Sequence, residues 1–128
     1  RLESDLISLC TAALNHALDT QSICWNTNSA IAVVLAAGGY PKHYKKGDII
    51  KGLDVTPPEH VKIFHAGTIE KNHTVTTHGG RVMAITALGK TLLEAQQRAY
   101  KHAKAITWTN QYYRDDIGYR GIAKRHKM

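Results

Sequence analysis

The sequence predicts a single α+β domain, because helix-like and strand-like segments alternate along a chain of one-domain length. The chain has 128 residues, of which 43% are hydrophobic, so it can bury a sizeable core. Short blocks centred on glycine separate the apolar runs and supply the sharp turns that such a fold needs. The Pro57-Pro58 pair marks residues 55–59 as a loop, because neither proline can donate a backbone hydrogen bond.

A first helix is predicted at residues 4–18, where apolar side chains recur at three- and four-residue steps. Either Ser4 or Asp5 can cap its start, because both side chains accept hydrogen bonds from free helical amides. Cys10 lies within the apolar pattern and is expected to be a small core residue. The helix is therefore expected to pack against the sheet.

A second helix is predicted at residues 91–106. Thr91 and Glu94 have the spacing of a capping box, in which each side chain satisfies a free backbone amide. The apolar stripe that should face the sheet consists of Leu92, Ala95, Ala99, Ala103 and Ile106.

Strands are predicted from short apolar runs. Residues 30–37 are continuously apolar, which indicates a strand covered on both faces. Residues 61–64 are predicted to form a second strand. Residues 75–77 and 81–88 flank a short glycine turn at 78–80, which indicates a β-hairpin.

The charge balance favours anionic partners, since the formal net charge is +7 with neutral histidines. Part of the excess lies in residues 124–127, which are expected to be a solvated tail. Tyrosines beside basic residues leave a stand-alone module for nucleic acid or another anionic partner as an alternative function. Against nucleic acid, no RNP, KH or zinc-finger signature is present.

Cys10 and Cys24 have neither metal-ligand spacing nor a CxxC pairing. We expect both thiols to be reduced, as in a cytoplasmic protein, although a disulfide between them stays open. The eight histidines are not arranged as closely paired ligands, so no metal site is expected on this chain. No run is long and apolar enough to span a membrane, and no signal peptide is visible.

No catalytic residue is predicted. The sequence contains no nucleophile motif and no complete phosphate loop. Asp115 and Asp116 are paired carboxylates, but Arg114 and Arg120 lie beside them, which favours an ion-pair network over acid–base catalysis.

Candidate binding residues lie where the predicted strands end, at glycines 38–39, 67 and 79–80. Exposed backbone amides at such ends can form concave anion sites, and Arg81 can donate two parallel hydrogen bonds to a phosphate. Each feature also has a structural explanation. The glycines can serve turn geometry alone, Arg81 can be a surface arginine, and His65 can be a hydrogen-bonded structural histidine.

Together these blocks resemble the C-terminal domain of glycinamide ribonucleotide synthetase, also called phosphoribosylamine–glycine ligase, in the ATP-grasp superfamily. The resemblance extends from Arg1 to Arg120 and covers essentially the whole chain. The blocks that carry it, in order, are residues 33–41 with Tyr44 and Gly47, residues 64–68, residues 79–82 running into 86–89, and residues 113–120.

The resemblance implies a mixed or antiparallel sheet that forms a partial barrel, with both helices packed against it. It implies a ligase that joins glycine to 5-phosphoribosylamine in de novo purine biosynthesis while ATP is converted to ADP and phosphate. ATP and Mg²⁺ or Mn²⁺ would be bound by ATP-grasp domains upstream in the same chain. This piece alone would then bind no cofactor and would be inactive. No membrane partner is implied.

The resemblance also implies an auxiliary role, in which the C-terminal domain closes over the central domains and helps to build the acceptor pocket. The matching positions would line or support the 5-phosphoribosylamine side. They are Gly39, Tyr40, Pro41, His65, Ala66, Gly67, Thr68, Gly79, Gly80 and Arg81.

Overall fold

A computed structural model describes residues 1–125 of the chain, so the predicted solvated tail lies partly outside the described residues. The fold is α+β, as predicted. The helices are α1 (Leu6–Leu14), α2 (Leu92–Ala103) and α3 (Tyr119–Arg125), with a short 3-10 helix at Leu18–Thr20. The strands are β1 (Ser29–Ala36), β2 (Val61–His65), β3 (Thr68–Lys71), β4 (Thr74–Thr77) and β5 (Arg81–Gly89). No helix in the described part combines the length and apolar character that a membrane crossing requires.

The main sheet has three antiparallel strands in the order β1-β5-β2. Val33 and Ile63 both pair with Ile85, so the central strand aligns the apolar residues of its two neighbours on one face. Helix α2 packs on that face and closes the core. The fully buried apolar residues of sheet and helix are Val33, Leu35, Val82, Ile85, Ala87, Ala95, Ala99 and Ala103. Helix α2 ends at Ala103, earlier than the predicted 106, and Ile106 is fully buried just after it.

The predicted capping box of α2 is confirmed. The Thr91 hydroxyl accepts a hydrogen bond from the Glu94 amide at 3.1 Å. The Glu94 carboxylate accepts one from the amide of Lys90 at 2.7 Å. Two free amides at the helix start are thereby satisfied, which fixes where α2 begins.

The predicted hairpin of residues 75–77 and 81–88 is wrong. Strand β4 pairs with β3 in a separate two-stranded sheet, whereas β5 pairs with β1 and β2. The turn between β3 and β4 is formed by Asn72 and His73, both in the left-handed region at φ 48° and 59°. Such turns match the twist of the flanking strands, and glycine usually provides them, so this Asn-His turn was missed.

The first strand is confirmed, but its predicted burial on both faces is wrong within the described residues. Ile31, Val33 and Leu35 are buried, whereas Ala32 and Val34 on the opposite face are exposed. Continuous apolar character therefore does not mean that this chain itself covers both faces. Phe64 of β2 belongs to the same open face and is half exposed.

The predicted packing of residues 4–18 against the sheet is also wrong. Helix α1 contacts chiefly the neighbouring 3-10 helix, and Leu14 is 82% exposed. Asp5, one of the two predicted caps, accepts hydrogen bonds from the amides of Ile7 and Ser8. A hydrogen bond from the Ser8 hydroxyl, together with these two amide bonds, holds the Asp5 pKa below its usual value. Cys10 is exposed and unpaired rather than a core residue.

Candidate functional site

Three of the glycine blocks meet at one end of the main sheet, where β1 and β2 end and β5 begins. Ala36 is the register partner of Arg81, and His65 is the partner of Met83. The amide of Ala37 donates to the carbonyl of Gly80 at 2.8 Å. Blocks far apart in the sequence therefore form one continuous surface.

Gly67 and Gly79 lie against each other. A Cβ on Gly67 would approach the Cα of Gly79 to 2.6 Å, closer than real Cβ atoms come. The Gly67 amide donates to the carbonyl of Arg81 at 2.9 Å, and the His78 amide donates to the carbonyl of Gly67 at 2.7 Å. These glycines therefore serve a close backbone approach, and the Gly67 amide is not free for a ligand.

The ring of Tyr40 lies directly over Gly80. A Cβ on Gly80 would overlap the Tyr40 ring and touch that of Tyr44 at 3.1 Å. The two tyrosine rings pack edge to face with centroids 6.0 Å apart. Glycine at position 80 thus permits an aromatic wall above the turn that leads into β5.

A short loop beside this wall is tied to β4 through the buried Thr77. The Asp48 amide donates to the Thr77 hydroxyl at 3.1 Å, and the Thr77 amide donates to the carbonyl of Asp48 at 2.9 Å. The Gly47 amide donates to the carbonyl of Thr77 at 2.6 Å. This loop carries Tyr44, so the hydrogen bonds position the second tyrosine of the wall.

Some backbone amides at this end of the sheet remain available. Within residues 1–125, those of Gly38, Gly39, Gly79 and Gly80 make no hydrogen bond to the chain. By contrast, the amide of Ala66 is occupied by the carbonyl of Val82 at 3.0 Å. Gly80 is buried beneath the Tyr40 ring, so the predicted anion-binding amides that a ligand can still use are those of Gly38, Gly39 and Gly79.

An apolar cleft of about 360 Å³ opens beside the wall. Arg81 lines it, is exposed, and makes no ion pair within the described residues. The other lining residues are Ala32, Val34, Ala36, Tyr40, Tyr112, Tyr113, Arg114 and Ile117. Sequence reasoning noted Tyr112 and Tyr113 only as tyrosines beside basic residues. It did not place them in this site, because long-range contacts such as the pairing of Ala36 with Tyr112 bring their segment to this end of the sheet.

The segment at 112–118 is held in place by polar contacts. Arg114 makes a bidentate pair with Asp116, with distances of 2.8 and 2.6 Å, which confirms the predicted ion pairing. This pairing lowers the Asp116 pKa and raises that of Arg114. Tyr100 donates its hydroxyl to the carbonyl of Arg114 at 2.6 Å and accepts from the amide of Ile117 at 3.0 Å. Burial raises the Tyr100 pKa.

The remaining predicted residues lie at the rim. His65 is exposed, and its Nδ1 lies 3.0 Å from the hydroxyl of Thr68. Pro41 is exposed next to the wall, and Gly39 adopts φ +90° where a Cβ would overlap the carbonyl of His43. The structure thus places all ten predicted site residues at one end of the sheet, but only Tyr40 and Arg81 line the apolar cleft.

A second cleft, of about 320 Å³, lies beside the first and is more polar. It is lined by Gly38, His43, Tyr44, Lys45, Asp48, Thr109 and Asn110. Asn110 has φ +57°, and its carbonyl would collide with a Cβ on Gly38. Sequence reasoning singled out neither His43 nor Asn110, although left-handed backbone at a non-glycine residue is a frequent feature of functional loops.

Within residues 1–125, no three His, Cys, Asp or Glu side chains are grouped so that they could hold a metal ion. The sequence also has no complete phosphate loop. What this end of the sheet offers is free amides, tyrosine rings and one unpaired arginine, which suit an anionic or hydroxyl-bearing small molecule.

Comparison with known families gives a match over residues 30–120 to the family described as "Phosphoribosylglycinamide synthetase, C domain". This range includes both clefts and all ten predicted site residues. It excludes α1 and the segment that follows it.

Comparison with curated proteins gives similar relatives. The phosphoribosylamine–glycine ligase of Vibrio vulnificus (strain YJ016) is 50% identical over 127 residues, which cover 99% of this chain and 30% of that protein. The enzyme of the same name from Pseudomonas putida is 52% identical over 124 residues, or 97% of this chain and 29% of that protein. The chain thus spans about 30% of the length of these relatives.

A solved structure is also similar. The crystal structure of phosphoribosylamine–glycine ligase from Thermotoga maritima has a TM-score of 0.65 and 34% sequence identity to this chain. The match covers 84% of this chain and 27% of the solved one.

Proposed function

Because the chain belongs to the family of phosphoribosylglycinamide synthetase C domains, we propose that it is the C-terminal part of a phosphoribosylamine–glycine ligase. The whole enzyme joins the carboxylate of glycine to the amine of 5-phosphoribosylamine in purine biosynthesis, while ATP is converted to ADP and phosphate. The observation that carries the proposal is the 50–52% identity to ligases of that name over nearly the whole chain.

The role proposed for this chain is to form the acceptor side of the active site. The free amides of Gly39 and Gly79 are the groups expected to meet the phosphate or ribose hydroxyls of 5-phosphoribosylamine, while the buried Gly80 supports the turn beneath Tyr40. Arg81 has no carboxylate partner, so its guanidinium can pair with the phosphate. Tyr40 shields this contact from water with its ring.

The other predicted residues support the pocket rather than touch the substrate. Ala66 and Gly67 use their amides in the backbone, and Gly67 lets the turn at Gly79 approach. His65 and Thr68 are hydrogen-bonded to each other at the rim. Pro41 follows the tyrosine wall.

ATP and its magnesium or manganese ion are proposed to bind elsewhere in the longer protein. The relatives are about three times longer than this chain, and the described residues offer no group for a metal ion. Upstream ATP-grasp domains of the same chain are the proposed partners that supply the nucleotide site. This piece alone is then expected to be inactive, and the full enzyme is expected in the cytoplasm.

The two sheets are proposed to form the partial barrel that the resemblance implies. A register shift between Leu35 and Ala36 bends β1 at the end where the second sheet begins. Ile49 pairs with Thr76 of β4, so the smaller sheet gains a third segment on its edge. Together with residues 1–29, these sheets would make one C-terminal unit of residues 1–128.

A reaction assay on the full-length protein tests the proposed function. We expect formation of glycinamide ribonucleotide and ADP only when ATP, Mg²⁺, glycine and freshly generated 5-phosphoribosylamine are all present. Mass spectrometry of the product and omission of each substrate in turn are the readouts. A folded full-length protein that forms no glycine-dependent product would overturn the proposal.

A further inference from the structure

A third cleft, of about 540 Å³, lies between the start of β2 and the second half of α2. One wall is the segment Pro58–Val61, and the other is formed by Arg98, Lys101, His102 and Ala105. Val61 pairs with Ala87, near the end of β5, whereas the proposed acceptor site lies where β5 begins. The cleft shares no lining residue with that site.

His102 is the unusual feature of this cleft. It is only 7% exposed, and its Nε2 atom is buried without a hydrogen-bond partner among the described residues. A buried polar atom without a partner is unfavourable, and folded proteins normally satisfy it with protein, water or ligand. Because His102 lines the cleft, a polar atom of a bound molecule is a suitable partner.

The cleft also carries positive charge. Lys101 is exposed and makes no ion pair within the described residues. Arg98 is held by the Leu88 carbonyl at 2.8 Å and by Glu94 at 2.5 Å, which leaves three of its five N–H groups unused. Among the described residues, Glu59 is the only carboxylate that lines the cleft, and its side chain is 88% exposed beside His60.

The backbone holds the cleft open without a ligand. The amide of Leu88 donates to the carbonyl of His60 at 2.8 Å, and the Val61 amide donates to the carbonyl of Pro58 at 3.0 Å. His60 itself adopts φ +67°. At the end of α2, the carbonyls of Tyr100, His102 and Ala103 are occupied as well, because the amides of residues 104–106 donate to them. These carbonyls therefore do not compete for the cationic side chains.

We propose that this cleft is a second small-molecule site, which binds an organic anion with an apolar body. The apolar part packs against Pro58, Val61 and Ala105. The acidic group, a phosphate or a carboxylate, lies at Lys101 and Arg98, and an acceptor atom takes a hydrogen bond from His102 Nε2. The volume suits a single-ring compound, and the fixed walls reduce the entropy that binding would lose.

Three probes of similar shape test the site in the full-length protein: phenyl phosphate, benzoate and phenol. The readout is the side-chain ¹⁵N resonance of His102, identified by its loss in His102→Gln. We expect phenyl phosphate, benzoate or both to shift this resonance saturably, and neutral phenol to shift it much less. The anion that binds with the higher affinity shows whether the site prefers a phosphate or a carboxylate.

Lys101→Glu should lower the affinity for whichever anion binds by about three- to tenfold, because a favourable charge is replaced by a repulsive one. Lys104→Glu is the matched control, since Lys104 is an exposed lysine just after α2 that does not line the cleft. No saturable shift with either anion, or equal weakening by both variants, would overturn the proposal. The ligase activity of the full-length protein tests the proposed function separately, because neither Lys101 nor Lys104 belongs to the acceptor site.

Discussion

At the scale of single residues, the glycine blocks combine two roles that sequence reasoning presented as alternatives. Gly67 is required by its close contact with Gly79 and already uses its amide in the backbone. Gly80 is required because the Tyr40 ring covers it, whereas the exposed Gly39 has an amide that makes no hydrogen bond within the described residues. Whether a glycine serves turn geometry or ligand binding therefore differs between residues and is not shared by a whole block.

Gly67→Ala is expected to loosen the contact with the Gly79 turn. The added methyl group would lie 2.6 Å from Gly79 Cα and 2.7 Å from the carbonyl oxygen of Arg81, and overpacking of this kind costs about 1–3 kcal/mol. The amide of His78 donates to the carbonyl of Gly67, so its hydrogen exchange in the full-length protein should accelerate about tenfold or more.

Gly47→Ala provides the matched control for this substitution. Gly47 has φ +93° with open space around it, so alanine there adds backbone strain without a collision. We expect the His78 amide to keep its protection in this variant. Unchanged exchange at His78 in Gly67→Ala would mean that the turn adapts to a side chain.

Arg81→Ala is expected to weaken the binding of 5-phosphoribosylamine. A hydrogen-bonded arginine–phosphate contact contributes about 1.5–3 kcal/mol, so the KM for 5-phosphoribosylamine should rise at least about tenfold. The KM values for ATP and glycine should stay near those of the wild type. Steady-state kinetics of the full-length ligase measure all three.

Lys62→Ala removes a comparable exposed charge from β2 and serves as the control, since Lys62 does not line the clefts. An Arg81→Ala enzyme with unchanged kinetics would return Arg81 to the role of a surface residue.

At the scale of elements, the structure depends on contacts between segments that are far apart in the sequence. Helix α2 was predictable, because its cap and its apolar stripe lie within fifteen residues. The segment at 112–118 has no comparable pattern, and Tyr100 of α2 holds it by two hydrogen bonds. The local sequence pattern thus predicts helix α2, whereas long-range contacts between α2 and the segment at 112–118 position one side of the acceptor cleft.

Tyr100→Phe is expected to loosen the attachment of the segment at 112–118 to α2. It removes the donor to the carbonyl of Arg114 and leaves the amide of Ile117 without its acceptor. A half-buried amide that loses its partner costs about 1–3 kcal/mol, so the amide of Ile117 should exchange its hydrogen markedly faster.

Tyr113→Phe is the control for Tyr100→Phe, because the Tyr113 ring packs against that of Tyr100 but its hydroxyl makes no hydrogen bond within the described residues. If both variants gave the same exchange at Ile117, ring packing rather than the hydrogen bonds would hold the segment.

At the scale of the whole molecule, two apolar surfaces remain uncovered by the residues that the structure describes. One is the outer face of the main sheet, with Val34 43% and Phe64 51% exposed. The other is the amino-terminal segment, which closes on itself through the pairing of Leu2 with Trp25 and precedes the matched family range. Its exposed apolar residues are Leu6, Ile7, Leu14, Leu18, Ile23 and Trp25. Since the relatives are about three times longer, we expect the rest of the protein to cover both surfaces.

Trp25 reports on this expectation, because it is 57% exposed in this chain whereas Trp108 is buried. The contribution of Trp25 to fluorescence is the difference between wild type and Trp25→Phe. We expect acrylamide to quench this contribution less in the full-length protein than in the 128-residue chain. Equal quenching in the two proteins would show that the segment stays exposed.

The sequence by itself determined the α+β class, the cap and stripe of α2, and the first two strands, because each follows from periodicity or capping within a few residues. It also singled out the glycine blocks that meet at the end of the sheet. These features depend on local backbone geometry, which neighbouring side chains decide.

Only the tertiary structure decided which strand β4 pairs with, which face of β1 is covered and where α1 packs. Strand β4 contains one apolar residue, Val75, so its sequence is equally compatible with pairing to β3 and to β5, and the choice depends on the left-handed turn at Asn72 and His73. Likewise, an apolar stripe on α1 predicts a covered face but does not say which part of the protein covers it. Pairing and burial are properties of surfaces that meet in space, so a local pattern does not fix them.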